Sequence, residues 1–256
     1  MIVKVLGASG SDIPGYHFSS FLLDKKILFD AGSVTNSLSF EAQQKIEHIF
    51  ITHAHLDHIK DLPFLADNLI ICGKKKIVKV YSIKEVLNDI KTHLLNHRLW
   101  PDFTVIPDIE NSILKLNPVI ENKPVIINNK YKITAYRMNH VVPAVGYLVE
   151  KDNKSFFYTG DTGPAKILWK KLSPKILNVL IVEVSLPNKM KEIAIETGHL
   201  TAELLFEDLK SLNNKPKKIF ITHIKPFFRK QIERELKKYS EDYKIEILSG
   251  GEVIKI

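Results

Sequence analysis

The sequence predicts an α/β sandwich in which two mixed β-sheets pack face to face and helices cover the outer faces. Short apolar runs separated by turns open the chain, and strand-like and helix-like segments alternate from about residue 45 onward. Two more strand-like segments close it. With 256 residues, of which 45% are apolar, the chain can bury a sizeable core, and we expect a single domain over residues 1–256.

The first half is predicted from apolar runs and from one helical repeat. Apolar residues between 82 and 98 recur three and four positions apart, which is the spacing of one helix face. That face comprises Ile83, Val86, Leu87, Ile90 and Leu94. The predicted elements are strands at 1–6, 18–23 and 26–30 and in "KIEHIFI", and a helix at 82–98.

The second half contains a predicted hairpin in "YLVEKDNKSFFYTGD", whose polar turn is Asp152–Asn153. A helix is predicted at 201–212, because Thr201 is a suitable N-cap and Glu203 and Glu207 lie near its start. The other predicted elements are strands at 131–137 and 145–150 and in "ILNVLIVEV", "KPKKIFITH", "KIEIL" and "EVIKI", and a helix at 226–239.

The composition narrows the compartment and the class of partner. Cys72 is the only cysteine, so no disulfide can form within the chain, and a reducing cytoplasm fits. No apolar run approaches the ~18 residues that a membrane helix needs, and the N-terminus lacks the features of a signal peptide.

The net charge of +8 rests on lysine, because only four of the 37 basic residues are arginine. Arginine is the better donor to phosphates and bases. We interpret the lysines of "CGKKKIVK" and "NNKPKKIF" as solvated surface. This balance disfavours nucleic acid as a partner and leaves a small anionic substrate open.

The densest candidate site is "HIFITHAHLDHIKDL" at 48–62, where His53, His55, Asp57 and His58 follow an apolar strand. His53 and His55 are two positions apart, so they point the same way in an extended segment. Asp57 and His58 can turn towards a neighbouring point. The pattern therefore predicts ligand pairs for two metal ions, a device that hydrolyses esters and phosphates. A polar loop that merely happens to be rich in histidine is the alternative.

Three later segments offer further ligands. His140 lies between two predicted strands, Asp161 lies in the turn "GDTG" after a strand, and His223 follows the strand in "IFITHIKP", which echoes "IFITHAH". Each of these residues has a structural explanation when taken alone. Together they indicate a metal centre, because all three follow or join strands.

The order T-H-x-H-x-D-H, lone His, G-D-T and T-H resembles the metallo-β-lactamase superfamily over nearly the whole chain. The resemblance implies the αββα four-layer sandwich of that family and two divalent ions, zinc first, with manganese or iron also suited to these ligands. It further implies the ligand assignment: one metal on His53, His55 and His140, the other on Asp57, His58 and His223, and Asp161 as the bridge.

Further stretches resemble the class II cyclic-nucleotide phosphodiesterases: "LGASG", "SSFLLDKKILFDAGS", "NHRLWPDF", "GDTGP", "EVSLPN" and "GHLTAELL". The resemblance implies hydrolysis of 3′,5′-cyclic nucleotides, similar to cyclic AMP or GMP, to 5′-nucleotides by hydroxide held between two metals. It also implies that a homodimer is possible. The sequence departs from that pattern at Asp61, Pro63 and Ala202, which lie near the site.

The alternative is a tRNA 3′-end-processing endonuclease, which shares the seven ligands, or a hydrolase of another phosphoester or ester with the same fold. The endonuclease branch carries a long insertion between the lone histidine and the bridging aspartate. Here His140 and Asp161 are only 21 positions apart. A binding module on a retained fold is disfavoured, because no ligand is missing.

Three residues are expected to take part in the chemistry. Asp57 could accept the proton of the attacking water. His199, in "ETGHLTAELL", could donate a proton to the leaving oxygen, as histidines often do. Glu183, at the end of a predicted strand, could orient His199. The alternative for His199 is a structural role at the start of a helix. The alternative for Glu183 is a buried acid that accepts hydrogen bonds from backbone groups.

Three residues are expected to contact the substrate. Lys225 lies two positions after His223, and Lys225 and Arg98 could bind phosphate. Trp100 could stack on a base or simply pack on the core. An ordinary surface position is the alternative for both basic residues.

Overall fold

A computed structural model describes residues 1–73 and 77–256 of the chain. The lysines of the "GKKKI" run at 74–76, which we interpreted as solvated surface, lie outside the described residues. The described strands are β1 (Ile2–Gly7), β2 (Ser20–Leu23), β3 (Ile27–Phe29), β4 (His48–Phe50), β5 (Val78–Ser82), β6 (Leu114–Pro118), β7 (Pro124–Ile127), β8 (Tyr131–Arg137), β9 (Val145–Lys151), β10 (Lys154–Tyr158), β11 (Val179–Glu183), β12 (Lys218–Thr222), β13 (Ile245–Ile247) and β14 (Val253–Lys255).

The α-helices within the same residues are short and lie mainly between the strands. They are α1 (Phe40–Gln43), α2 (Leu56–Ile59), α3 (Leu62–Ile71), α4 (Lys84–Asp89), α5 (Lys166–Leu172), α6 (Lys191–Glu196), α7 (Ala202–Leu209) and α8 (Arg229–Leu236). A π-helix continues α4 over Ile90–Leu94, and 3₁₀ turns lie at Asn188–Met190, Pro226–Phe228 and Lys237–Tyr239. None of the helices described is both long enough and apolar enough to cross a lipid bilayer.

The strands form two sheets of seven strands each, in the orders β14-β1-β2-β3-β4-β5-β6 and β13-β12-β11-β10-β9-β8-β7. Each sheet has one antiparallel part and one parallel part. In the first sheet, pairing is antiparallel from β14 to β3 and parallel from β3 to β6. In the second, pairing is antiparallel from β7 to β10 and parallel from β10 to β13. Both sheets are therefore mixed, as predicted.

Apolar side chains fill the space between the sheets and the space under the helices. Phe29 of β3 meets Phe156 of β10 edge to face at 5.7 Å between ring centroids, which places the two sheets against each other. On the outer side of the second sheet, Phe157 packs against Trp169 of α5 at 6.1 Å. Full burial of such a side chain contributes about 2–3 kcal/mol to folding. The predicted sandwich with outer helices is confirmed.

The ends of several predicted elements differ from the structure. The strand before the histidine cluster ends at Phe50, because the backbone N–H of Thr52 donates to the Asp30 carboxylate at 2.7 Å. The helix predicted at 82–98 ends at Leu94. Beyond it, the Asn96 side chain folds back onto the Thr92 carbonyl.

Other boundaries follow the sequence closely. The hairpin turn at Asp152 and Asn153 is confirmed, with φ of 50° and 60°, the conformation that a two-residue hairpin turn requires. Thr201 caps α7 by accepting a hydrogen bond from the Leu204 N–H. The sequence analysis did not predict α1, α3, α5, α6 or the strands β5 to β7.

Candidate metal centre

The predicted ligands meet at one end of the two sheets. The segment after β4 carries His53 and His55 in extended backbone, and His55 is the N-cap of α2 with φ −66° and ψ 145°. The first turn of α2 then presents Asp57 and His58. This change from extended to helical backbone explains how four ligands within six positions can face two neighbouring points.

The first group of ligands is His53, His55 and His140, whose ring nitrogens lie within 4.8 Å of one another. His140 Nε2 lies 3.2 Å from His55 Nδ1. On its other side, His140 Nδ1 lies 2.8 Å from the Gly198 carbonyl oxygen, which can only accept. The carbonyl therefore holds the proton on Nδ1 and leaves Nε2 free to bind a metal.

The contact between the Gly198 carbonyl oxygen and His140 Nδ1 requires glycine at position 198. Its φ is +68°, and a Cβ there would lie 2.8 Å from His140 Nδ1 and 3.0 Å from the Val141 nitrogen. A side chain at this position would push the imidazole away from the centre, in a backbone region that L-residues other than glycine rarely adopt.

The second group is Asp57, His58, Asp161 and His223, again with ligand atoms within 4.8 Å. His223 Nε2 lies 3.0 Å from Asp57 Oδ2 and 3.3 Å from Asp161 Oδ2. Asp161 also approaches the first group, with its Oδ2 3.7 Å from His53 Nε2. The aspartate thus lies between the two groups, where a bridging ligand is needed.

Unpaired buried atoms show that the residues fit metal ions. His53 Nε2, His58 Nε2 and Asp161 Oδ1 are inaccessible to solvent and make no hydrogen bond. Buried polar atoms are nearly always paired, because an unpaired one loses its hydration without compensation. Imidazole nitrogens and carboxylate oxygens are ligands for zinc and similar divalent ions. The donor set therefore suits two such ions.

Charges and burial in the cluster favour the metal-binding forms of Asp161, Asp57 and His53. Burial acts to raise the pKa of Asp161, but the imidazoles of His223 and His58 reverse this and hold that pKa well below its usual range. Burial acts to raise the pKa of Asp57, but the hydrogen bond with His223 and the charges of His58 and His223 together lower it. Burial is the main cause that lowers the pKa of His53. Ionised carboxylates and a neutral imidazole are the states that bind metal.

Asp30, which the sequence analysis did not single out, anchors His58. It is fully buried, and its Oδ2 lies 2.7 Å from His58 Nδ1 and 2.7 Å from the Tyr158 hydroxyl. Its Oδ1 accepts from the backbone and hydroxyl of Thr52. Burial acts to lower the pKa of His58, but the carboxylates of Asp161 and Asp30 raise it well above its ordinary value. The signal in the sequence was an acid directly after the apolar run "KILF".

Glu183 and His199 form a hydrogen-bonded pair beside the second group. His199 Nδ1 lies 2.7 Å from Glu183 Oε1, and the carboxylate is fully buried. Burial acts to lower the pKa of His199, but the charge and hydrogen bond of Glu183 raise it to about 9. Glu183, His199 and His223 also have ligand atoms within 4.8 Å of one another. The structure therefore contains the predicted contact between Glu183 and His199.

The residues expected to contact substrate lie in different surroundings. Lys225 is half-buried, and its Nζ donates to the Gly10 carbonyl at 3.3 Å. Its charge acts on His199 and opposes protonation of that imidazole. Arg98 is exposed. Trp100 stacks edge to face on Phe64 at 4.9 Å and packs against the core. The structure brings Lys225 to the centre and shows no contact of Arg98 or Trp100 with the ligands among the residues it describes.

The departures from the phosphodiesterase pattern have local explanations. Asp61 is buried, and its Oδ2 accepts from the backbone N–H groups of Val34 and Thr35 at 2.7 and 2.8 Å. Pro63 lies in the first turn of α3, where proline is tolerated because that N–H has no partner within the helix. Ala202 is the buried first residue of α7.

The chain matches the family model described as "Beta-lactamase superfamily domain" over residues 25–224. It is 29% identical over 212 residues to a probable 3′,5′-cyclic-nucleotide phosphodiesterase of Yersinia pestis, covering 73% of this chain and 59% of that one. It is 34% identical over 135 residues to a ribonuclease Z of Prochlorococcus marinus, covering 51% and 41%. The chain thus spans less than two thirds of either relative.

A solved structure shows the same architecture. The structure of unliganded yeast PDE1 superposes with a TM-score of 0.87, covers 100% of this chain and 99% of that one, and is 19% identical in sequence. At this identity the likeness concerns the fold. Because the family model spans most of the chain, including six of the seven predicted metal ligands in its interior and His223 near its end, the chain belongs to the beta-lactamase superfamily domain family.

Proposed function

We propose that this protein is a metal-dependent phosphodiesterase that hydrolyses 3′,5′-cyclic nucleotides to 5′-nucleotides. The observation that carries the proposal is a full set of seven candidate ligand side chains with the hydrogen-bonded pair of Glu183 and His199 beside it. The cyclic-nucleotide phosphodiesterase of Yersinia pestis aligns with 73% of the chain and supports the choice of substrate.

The ligand assignment is part of the proposal. His53, His55 and His140 would hold one ion, and Asp57, His58 and His223 would hold the other. Asp161 would serve both, which its contacts with both groups support. When bound, the two ions lower the pKa of a water molecule and take up charge on the phosphate oxygens.

The side chains around the ions complete the reaction. Asp57, whose low pKa keeps it ionised, accepts the proton of the attacking water. His199 is protonated at neutral pH and donates from Nε2 to the leaving sugar oxygen, while Glu183 holds Nδ1. Lys225, next to His199, binds a non-bridging phosphate oxygen. Arg98 and Trp100 stay predictions as further phosphate and base contacts.

The connection between His140 and Asp161 favours a small substrate. Strands β9 and β10 fill it almost completely and are joined by the two-residue turn at Asp152–Asn153. No arm extends from this hairpin to hold a folded RNA. The identity to a ribonuclease Z of Prochlorococcus marinus supports the second candidate, trimming of tRNA 3′ ends. Binding along an RNA would need contacts with many phosphates.

The decisive experiment compares kcat/KM for cyclic AMP, cyclic GMP and a 3′-extended precursor tRNA in the same metal and salt. A 2′,3′-cyclic nucleotide and bis(p-nitrophenyl) phosphate complete the panel. We expect turnover of a 3′,5′-cyclic nucleotide to the 5′-nucleotide, with the tRNA a poor substrate. Efficient tRNA trimming without cyclic-nucleotide turnover would replace this function with the endonuclease.

A further inference from the structure

Ser185, two residues after Glu183, lies between the proton donor and one metal ligand. The side chain is fully buried. Its Oγ is 2.6 Å from Glu183 Oε2, 2.8 Å from His223 Nδ1 and 3.4 Å from His199 Nδ1. The hydroxyl therefore contacts all three members of the group formed by Glu183, His199 and His223.

The direction of each hydrogen bond follows from the chemistry of the groups. An ionised carboxylate can only accept, so the Ser185 hydroxyl must donate its single proton to Glu183 Oε2. The same oxygen can then only accept from His223 Nδ1. The hydrogen bond to the Ser185 oxygen therefore requires a proton on His223 Nδ1, whether or not Nε2 is also protonated.

The position of the Ser185 oxygen is held from two sides. Its backbone N–H donates to Glu183 Oε2 at 3.1 Å and to the Leu200 carbonyl at 3.1 Å. Glu183 is itself fixed, since its Oε1 also accepts from the Thr162 N–H at 3.0 Å. An oxygen held in this way presents a fixed acceptor to the imidazole and restrains rotation of the ring.

The proton on Nδ1 determines the state of the opposite ring nitrogen of His223, Nε2. With the proton on Nδ1, neutral His223 has its lone pair on Nε2, which faces Asp57 Oδ2 at 3.0 Å and Asp161 Oδ2 at 3.3 Å. Three electron-rich atoms directed at one point call for a cation. Partners that fix the tautomer of a metal-binding histidine also increase its basicity as a ligand.

We propose that Ser185 is a positioning residue that fixes the Nδ1–H tautomer of His223 and thereby sets the affinity of the centre for its second divalent ion, through the same carboxylate that orients His199. The inference rests on the proposed metal-dependent function, but it concerns metal binding and is independent of which phosphodiester is cleaved.

The test is a zinc titration of chelator-stripped protein, in competition with a chromophoric chelator, for wild type and Ser185→Ala. We expect the weaker of the two zinc ions to bind about 10- to 100-fold more weakly in the variant. Ser185→Thr keeps the hydroxyl and is expected to bind zinc as tightly as wild type. Ser155→Ala is the matched control, because Ser155 is a buried serine whose hydroxyl donates only to the Ile176 carbonyl.

A spectroscopic signal reports the tautomer itself. In the zinc-loaded protein labelled with ¹⁵N-histidine, the Nδ1–H of His223 should give a slowly exchanging imidazole proton that is present in Ser155→Ala and Ser185→Thr and lost in Ser185→Ala. Unchanged zinc affinity together with a retained signal in Ser185→Ala would overturn the proposal. Thermal melting of the metal-free variants shows whether a substitution impairs folding. If Ser185→Ala does not fold, zinc affinity and the Nδ1–H signal are compared between Ser185→Thr and wild type, and that comparison decides whether the proposal holds.

Kinetics separate this proposal from the proposed function. A weaker second ion should lower turnover of cyclic AMP and of bis(p-nitrophenyl) phosphate alike. If Ser185→Ala instead lost activity only on substrates whose leaving group needs a proton, with zinc affinity unchanged, the serine would act through His199 and the proposal would fail. If cyclic AMP is not cleaved at all, the zinc and NMR results still decide the role of Ser185.

Discussion

The two sheets each supply a histidine to the second ligand group, and they support it in different ways. On the first sheet, the Asp30 carboxylate lies directly against His58 Nδ1 at 2.7 Å. On the second, the Ser185 hydroxyl stands between His223 Nδ1 and Glu183. In the first half one buried carboxylate supports one candidate ligand, whereas in the second half Glu183 contacts both Ser185, which supports His223, and His199, the proposed proton donor.

The difference separates two tasks. In the proposed mechanism, side chains of the first half hold metal. Those of the second half serve both metal binding and proton delivery, joined by the Glu183 carboxylate. Substitutions in the first half should therefore affect all substrates equally, and substitution of His199 should have an effect that depends on the leaving group.

The largest effect is expected for Asp161→Ala, which removes the carboxylate that lies between both groups. We expect about two divalent ions per chain in the wild type and fewer in the variant. Loss of several kcal/mol of transition-state stabilisation corresponds to a decrease in turnover by a factor of about 10³ or more. Elemental analysis and initial rates check this. One ion or fewer in fully active wild-type protein would contradict the two-metal centre.

His199→Ala tests the proton-delivering half. Turnover of a cyclic nucleotide should fall by a factor of ~10²–10⁴ while metal content stays unchanged. The loss should be smaller for bis(p-nitrophenyl) phosphate, because p-nitrophenolate leaves without a proton. Equal losses on both substrates would indicate that His199 binds or positions the substrate and would remove the contrast between the halves.

Asp30→Asn tests the metal-holding half. Asn tolerates the left-handed backbone of Asp30 (φ 55°), so the change removes mainly the charge that His58 faces. Zinc affinity should decrease by about 10- to 100-fold, and activity on both substrates should fall by the same factor. Tyr158→Phe, which removes one hydroxyl donor from Asp30, is the milder control. A loss that depends on the leaving group would be inconsistent with a purely metal-holding half.

The smallest effect is expected at a contact that joins the two halves away from the centre. The Tyr131 hydroxyl of β8 donates to the Asp24 carboxylate after β2. Tyr131→Phe should lower the free energy of unfolding by about 1 kcal/mol at neutral pH, since the hydrogen bond is only partly buried. Metal content and activity should not change.

The pH dependence of that effect has a defined sign. Burial acts to raise the pKa of Asp24, but the hydrogen bonds from Tyr131 and the Ile2 N–H lower it below its ordinary value. A carboxyl group whose pKa is lowered by folding stabilises the fold above its unfolded pKa and loses that contribution as the pH falls through the folded value. The difference between wild type and Tyr131→Phe in urea unfolding should therefore shrink in acid. A difference in unfolding free energy between wild type and Tyr131→Phe that grows below pH 4 would contradict this expectation.

The sequence was most informative for candidate ligands that lie close together along the chain. His53, His55, Asp57 and His58 lie within six positions directly after a predicted strand, so their clustering indicated a site. The αββα fold and the family were predicted correctly, since strands and motifs recur in a recognisable order. The roles of the site residues, the single domain and a cytoplasmic location stay predictions.

The supporting residues could not be read from the sequence in the same way. Asp30 is 28 positions from His58, and Ser185 is 38 positions from His223, so only the packing of the sheets brings them together. Gly198 supports His140 through a backbone carbonyl, for which the side-chain pattern holds no signal. The backbone groups that donate hydrogen bonds to Asp61 likewise belong to a loop 26 to 27 positions away.

The unpaired buried atoms of His53, His58 and Asp161 connect metal supply to the lifetime of the protein. An ion that binds the folded chain and not the unfolded one adds about 2.7 kcal/mol of stability for each site at a concentration 100 times its dissociation constant. A typical domain has only ~5–15 kcal/mol in total. Cells starved of the metal should therefore contain more unfolded chain, which proteases remove, so the amount of this protein should track metal availability even when its synthesis does not change.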